Sequence, residues 1–511
     1  MRRITPSSPE PLFDAATTRQ IERRAQNLLP AHALMDRAGL AVARLATALY
    51  PHARTVWIAC GPGNNGGDGL RAAAHLAQWQ RTGQAGSQVH LTHAMGTTPD
   101  PALLPEDARY ALACAMAAGV RLQADPPEQA DLVIDAMLGI GARNAPGGTM
   151  GHWLDRITQG TSPVLAVDVP SGLNADTGTW SGPALPADLP PRHTLSLLTL
   201  KPGLFTASGR DACGEVWFDD LDSPPSLSET PSAWLSPASP APATRLHSSH
   251  KGSQGDVLVI GGQHVGLTGA GMTGAAVLAA RAALHAGAGR VYLALLGDPI
   301  AWDPACPELM LRTPERILQE GQPESSTVVC GCGGGEVITP LLPEILHRSH
   351  RLVLDADALN AVAADTSLGA RLRMRRQRGL ITVITPHPLE AARLLGTDTA
   401  SVMGNRLEAA TILSRQLGAI CVLKGSGTVM AAEGQTPHIN ASGNARLATA
   451  GTGDVLAGML GASLRSDDAG SAFRQVCRAV ARHGELADRW SAGTLTAARL
   501  IDRIGPSETR A

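Results

Sequence analysis

The sequence, 511 residues long, is short of lysine: of 43 basic residues only Lys201, Lys251 and Lys424 are lysine. A chain that uses arginine wherever a generic surface cation serves points to its remaining lysines as places that want a compact ammonium with rotatable donors. It has no Lys/Arg-rich run interleaved with aromatics, and its formal net charge is −2, which excludes a general attraction to nucleic acid or anionic membrane. No apolar run approaches the roughly 20 residues that span a bilayer, and the opening "MRRITPSSPEPLFD" has no apolar stretch after its arginines, so no secretory signal is read there. The eight cysteines are scattered without a C-x-x-C pair, which argues against structural zinc and for packed thiols in a reduced, cytoplasmic setting.

Hydrophobic residues at 44% and charged residues at 17% describe a folded globular protein, and the length suggests two domains. The stretch "DSPPSLSETPSAWLSPASPAPAT", residues 222–244, is rich in Pro, Ser and Ala and reads as an extended linker between domains at 1–221 and 245–511. Before it, "TVWIAC" (55–60), "QVHLTH" (88–93), "DLVIDAML" (131–138), "PVLAVDV" (163–169) and "HTLSLLTL" (193–200) read as strands. They alternate with helical segments such as "ALMDRAGLAVARLATAL", "LRAAAHLAQWQ" and "EDARYALACAMAAG". After it, "DVLVIGG", "RVYLALL", "TVVCGCGGG", "RLVLDAD", "ITVITPHP" and "AICVLKGSG" repeat the pattern, with a long helical region from about residue 454. Strand–helix alternation with continuous apolar strands predicts two α/β domains, each on a parallel sheet covered on both faces, the first Rossmann-like.

Gly61, Gly63 and Gly66 in "CGPGNNGGDGL" satisfy G-x-G-x-x-G, yet the region about 20 residues on has His90 and His93 and no carboxylate for a ribose hydroxyl. No Gly-Lys-Ser/Thr follows, so a P-loop is excluded as well. Two further polar segments, "DAMLGIGARNAPGG" (135–148) and "AVDVPSGLNADTG" (166–178), also follow predicted strands, and such strand ends share one crevice in an open parallel sheet. Together with "LMDRAG" (34–39) and "LTLKPGL" around Lys201, these segments closely resemble the YjeF N-terminal domain, the NAD(P)HX epimerase. The resemblance implies that the dinucleotide is substrate: NADH or NADPH hydrated at C6 of the nicotinamide ring (NADHX, NADPHX). It implies a hydrate site at Asn64, Asn65, Gly66, Gly67 and Asp68 and at Gly139, Ile140, Gly141, Ala142, Arg143, Asn144 and Ala145. Asp168 is then the acid–base residue, with capping of a turn as its plainer reading. Asn65, Asp135 and Ser171 match the family's potassium ligands, oxygen donors suited to a hard cation; Ser171 is otherwise a turn residue.

In the second half, "NASGNARLATAGTGDVLAGMLGA" (440–462) ends one segment and opens a helix. Backbone N–H groups around Gly451 and Gly453 at a helix start make an anion site, and Asp454 beside them can take a proton from an attacking hydroxyl. Helix capping is the alternative for Asp454. The arrangement points to a ribokinase-like fold. With "HKGSQGDVLVIGG", "GMTGAAVLAARAALHAGAGRV", "LDADALN", "TPHPLEAARLL" and "VLKGSGTVM" it resembles the ADP-dependent NAD(P)HX dehydratase, the C-terminal half of bacterial bifunctional repair enzymes. The resemblance places ADP on Lys424, Gly425, Ser426, Gly427, Thr428 and Gly453, and the hydrate on Ala275, Gly333, His387 and Asp454. Magnesium is expected with the nucleotide.

Two departures from the family pattern are "GCGGG" at 331–335 and Leu389 in "TPHPLE". Cys332 could be a nucleophile or a core thiol, and His387 a site residue or a polar strand-end residue. The competing overall readings are a Rossmann-type module fused to a ribokinase-class small-molecule kinase, and a non-catalytic scaffold. The expected partners are the two hydrates and ADP, without nucleic acid or membrane, in a homo-oligomer.

Overall fold

The computed structural model describes all residues except 6–7, 84–85, 143, 240–245, 298–302, 492 and 506–511. Contacts divide the chain into a first unit built on Glu10–Ala233 with the first five residues, and a second that runs from Trp234 onward. Both are α/β units on largely parallel sheets, as the alternation predicts. Among the described residues, no helix is long and apolar enough to cross a membrane.

In the first unit the strands lie in the order Arg2–Arg3, Glu215–Asp219, Arg192–Leu197, Val164–Val167, Leu132–Ala136, Thr55–Cys60, Gln88–His93 and Leu122–Gln123. Only the first of these pairs antiparallel. The chain builds outward from Thr55–Cys60 in one direction, then returns to lay Leu132–Ala136 on its other side, so Ala59 pairs with both Thr92 and Asp135. That reversal leaves a crevice beyond the carboxyl ends of the two central strands, where ligands of open α/β sheets bind. The β-branched and leucine side chains of the strands are buried under Ala33–Leu49 and Asn64–Arg81, with Val42, Ile58, Leu70 and Ile134 wholly enclosed.

The helix expected from "LRAAAHLAQWQ" begins six residues earlier, inside the glycine-rich segment: Asn64–Arg81 is one continuous helix, with Gly63 as its N-cap. Glycine and asparagine are poor helix formers, but packing overrides propensity here. A Cβ on Gly66 would run into the carbonyl oxygen of Gly61, a Cβ on Gly61 into that of Met137, and one on Gly67 would stand 2.6 Å from Met35 Cε. The fingerprint glycines therefore let a helix start press against two strand ends. Gly66→Ala is expected to lower the melting temperature of the first unit, with an overpacking cost of about 1–3 kcal/mol read by calorimetry.

The second unit orders its strands Met310–Arg312, Arg290–Leu296, Asp256–Gln263, Thr327–Cys330, Arg351–Leu354, Ile381–Ile384, Ile420–Leu423, Thr428–Ala431, His438–Asn440 and Ala233–Leu235. Pairing is parallel as far as Ile420–Leu423, after which a hairpin runs antiparallel. The last strand is a difference from expectation: within the Pro/Ser/Ala-rich stretch, Trp234 and Leu235 pair with His438 and Ile439. The short apolar run Ala233–Leu235, with Ala233 and Leu235 buried, supplies a side-chain pattern the surrounding prolines hide. Residues 240–244 of that stretch lie outside the described residues. Helices Thr273–His285 and Thr452–Ser463 cross closely because a Cβ on Gly458 would collide with the Ala279 carbonyl, and the second places Gly451 and Asp454 at the carboxyl ends of the sheet.

Candidate active sites

The crevice of the first unit holds a cavity of about 530 Å³. Its wall includes Pro62–Asn65 and Asp68 from the start of Asn64–Arg81, Met137–Ala142 after the next strand, Asp168, Leu197, Leu198 and Lys201. Of the expected hydrate residues, Asn64, Asn65, Asp68, Gly139, Ile140, Gly141, Ala142 and Asp168 line it, whereas Gly66 and Gly67 are buried packing positions behind it. Asn144 and Ala145 are exposed and off its wall, and Arg143 lies outside the described residues. The N-terminus of Asn64–Arg81 has no side-chain cap, so its backbone N–H groups are left for an anion.

Asp168 ends the strand Val164–Val167 in a left-handed conformation, φ +67°, which a residue with a Cβ adopts only under constraint. The constraint is visible: Leu197 N donates to Asp168 Oδ1 at 3.2 Å, and Lys201 Nζ donates to the same oxygen in an ion pair. Lys201 is wholly enclosed, and its ammonium also donates to the Leu197 carbonyl at 2.7 Å and to Ser196 Oγ at 3.3 Å. All three donors are spent, the use for which the sequence spared a lysine. Asp68 also faces the cavity; burial first, and then the charges of Asp168 and Glu22, hold its carboxyl well above the ordinary range.

Asp135 and Ser171 are brought together below this cavity. Ser171 donates to Asp135 through Oγ at 2.6 Å and through its backbone N at 2.8 Å, and burial still raises the Asp135 carboxyl. Asn65 is buried against Gly139, and its Nδ2 has no hydrogen-bond partner. The enclosed carboxylate, the Ser171 hydroxyl and the Asn65 Oδ1 beside Gly139 offer oxygen, which a hard monovalent cation prefers; the unpartnered Asn65 Nδ2 is a hydrogen-bond donor and would not ligate it.

In the second unit the expected residues gather at carboxyl strand ends. Asp454 is the third residue of Thr452–Ser463, whose N-cap Gly451 has φ +86°. Lys424, just past Ile420–Leu423, puts Nζ 3.5 Å from where a Cβ on Gly453 would stand. The Lys424–Thr428 turn is buttressed from beneath by buried Arg406, whose Nη2 donates to the carbonyls of Leu423 and Lys424, both at 3.2 Å. Gly425, at φ +136°, has no room for a Cβ, which would meet Arg406 Nη1 at 2.7 Å. Across the site Ala275 and Gly333 touch: a Cβ on Gly333, at φ +57°, would be 2.9 Å from that of Ala275.

Asp355, within "LDADALN" and without an expected role, sits at the centre. Its Oδ1 accepts from Lys424 Nζ at 2.8 Å and from Thr385 Oγ1 at 2.7 Å, and Cys332 Sγ lies 3.9 Å from its Oδ2. Burial, followed by the charge of Asp355, pushes Asp454 up to about 6; the Cys332 thiol and Lys424 pull it the other way. The Cys332 thiol is wholly buried and driven up by that burial and by both carboxylates, so it is a protonated donor and not a nucleophile. Its small side chain in "GCGGG" lets it stand between them.

His387 is the N-cap of Pro388–Leu395: Nδ1 accepts from Leu389 N at 3.1 Å and Glu390 N at 3.2 Å, while Glu390 Oε2 accepts from His387 N at 2.8 Å. This capping box ties up one ring nitrogen, and burial, then Lys424, depresses the ring's affinity for a proton. Among the described residues one group, Cys332, Asp355 and Asp454, brings donor atoms within 4.8 Å of one another. It suits magnesium poorly, since the thiol is soft and protonated and Asp355 Oδ1 is already engaged.

Comparison with known proteins agrees with both halves of this geometry. Residues 31–203 match the family described as YjeF-related protein N-terminus, and residues 257–506 match the family described as NAD(P)H-hydrate dehydratase. The chain is 37% identical to the bifunctional NAD(P)H-hydrate repair enzyme of Escherichia coli over 96% of its own length and 91% of that protein's. It is 33% identical to the enzyme of the same description from Leishmania braziliensis, over 92% of this chain and 88% of that one. Its second half is 40% identical to the ADP-dependent (S)-NAD(P)H-hydrate dehydratase of Neisseria meningitidis, over 52% of this chain and 86% of that protein. The chain belongs to the family of bifunctional NAD(P)H-hydrate repair enzymes.

Proposed function

We propose that the first site interconverts the R and S epimers of NADHX and NADPHX, and that the second dehydrates the S epimer at the expense of ADP. The observation that carries the reading is the second site's arrangement: a carboxylate on the first turn of a glycine-capped helix, with a lysine ammonium beside the same turn. Hydroxide leaves carbon poorly; phosphate leaves well. Asp454 takes the proton of the C6 hydroxyl as its oxygen attacks the terminal phosphorus of ADP, and AMP departs. The helix start and Lys424 hold the phosphoryl oxygens. Electron release from N1 then expels phosphate, and loss of a proton from C5 restores the dihydropyridine of NADH or NADPH. Gly425, Ser426, Gly427 and Thr428 form the turn over the nucleotide, and Ala275, Gly333 and the outer edge of His387 border the hydrate. Magnesium would arrive on the nucleotide phosphates, where it neutralises charge, and not in a protein cage.

At the first site Asp168 is the base, and the pyrophosphate lies on the uncapped start of Asn64–Arg81 with Gly139–Ala142 alongside. Asn65, Asp135 and Ser171 would hold potassium, whose charge would offset the enclosed carboxylate and fix the three segments that shape the cavity.

Incubating mixed NADHX epimers with the protein, ADP, magnesium and potassium should restore absorbance at 340 nm completely. Omitting ADP should leave none, and omitting potassium should leave the R epimer consumed only slowly. A stable phosphorylated alcohol with no NADH would favour the ribokinase-class kinase. Because Asp454 must be ionised to act and titrates at about 6, the dehydration rate should fall about tenfold per unit as pH drops below 6, and level off above 7.

A further inference from the structure

The helix Ala15–Leu28 lies before the matched family region, yet Thr18, Arg19, Glu22 and Gln26, one stripe of it, line the first cavity. The helix is firmly seated. Its Asp14 cap accepts from Thr17 N at 2.7 Å, Ala15 N donates to Asp176 Oδ1 at 2.7 Å, and Thr18 Oγ1 meets Thr199 Oγ1 at 2.8 Å. Arg19 Nη2 reaches the Ile140 carbonyl at 3.4 Å across the cavity edge. Glu22, at the centre of the stripe, is half-buried, and no protein group among the described residues is found hydrogen-bonded to its carboxyl.

Two of the other carboxylates of the wall are paired. Asp168 is paired with Lys201, whose three donors are used, and Asp107 with His32 Nδ1 at 2.6 Å. Opening a C6 hemiaminal calls for two proton transfers at once: one off the hydroxyl and one onto the ring nitrogen. A single ion-paired carboxylate performs one of them. Building on the epimerase reading above, we propose that Glu22 is a catalytic residue, the proton donor that works against Asp168. Asp168 removes the O–H proton, the C6=O bond forms, the C6–N1 pair passes to N1, and N1 takes the proton of Glu22. The freed aldehyde turns its other face, N1 attacks it, and both protons return to where they started. Burial, then the charge of Asp168, raises the Glu22 carboxyl, the direction that favours a proton donor; Lys201 and Arg19 oppose this and Asp107 adds to it. Asp68, from the facing helix, has the same character and is the competing donor.

The test measures epimerisation by purified wild-type, Glu22→Gln, Glu22→Asp and Asp68→Asn full-length protein, across pH. The ADP-dependent dehydration of pure S-NADHX normalises each sample by its second site, and the melting temperature of the first unit reports whether that unit is folded. Glu22→Gln should lose roughly 10²-fold in kcat with KM little changed and should lose the alkaline fall of the pH profile, while Glu22→Asp recovers part of the rate. Wild-type kcat and profile in Glu22→Gln would overturn the proposal, as would a loss confined to Asp68→Asn or a change in KM alone. If wild-type protein itself fails to epimerise the hydrate, the epimerase reading falls, which is a separate result.

Discussion

Asp454→Asn is expected to reduce ADP-dependent dehydration by roughly 10³-fold while leaving epimerisation at its wild-type rate. Asparagine keeps the size of the side chain, and at the third position of Thr452–Ser463 it disturbs the helix little, so the loss reports the missing base. The measurement is NADH recovery from S-NADHX with saturating ADP, alongside conversion of the R to the S epimer followed chromatographically in the same sample. Neutralising Asp454 also removes a carboxylate from beside phosphate, so the variant should bind ADP at least as tightly as the wild type. A weaker KM for ADP with an unchanged kcat would assign Asp454 to nucleotide binding.

Lys201→Met should have the second-largest effect, and of a different kind. It leaves Asp168, itself almost covered, without the cation that holds it, and it removes one of the donors to Ser196 Oγ and the Leu197 carbonyl, which keep their bonds to Thr199. Breaking one side of a buried pair costs about 3–5 kcal/mol, so the first unit should melt markedly earlier. Epimerisation should drop with it even at temperatures where the variant is folded, since a base that wanders from its position no longer meets the hydroxyl. Dehydration of S-NADHX should persist as long as the second unit stays folded. A Lys201→Met protein with native stability would show that the ion pair contributes nothing net.

Much of this was written plainly in the chain. Continuous apolar strands between amphipathic helices made both sheets readable, and "ALMDRAGLAVARLATAL" spans its helix from end to end because its apolar spacing is regular. Of the three lysines, two are where the scarcity pointed, Lys201 and Lys424, and the third, Lys251, is exposed. What stayed hidden depends on distant neighbours. Nothing local in "NNGGDG" announces a helix, because the reason for its glycines is the backbone of Gly61 and Met137. Asp355 looked like an ordinary strand-end aspartate until Lys424 and Thr385, 69 and 30 residues away, were seen to converge on it. Glu22 was lost in a helix whose polar stripe resembles any solvated face, and the strand within 222–244 was masked by the prolines around it.

The left-handed backbone at Asp168 has a consequence for how this protein can change. Glycine would take up φ +67° without hindrance and relieve roughly 1–3 kcal/mol of backbone strain, but it would leave the enclosed Lys201 ammonium without its carboxylate, at a cost of about 3–5 kcal/mol. Selection on thermal robustness alone would therefore hold the aspartate and its lysine together, and a hardy variant that has lost one of them should be sequenced for loss of the other.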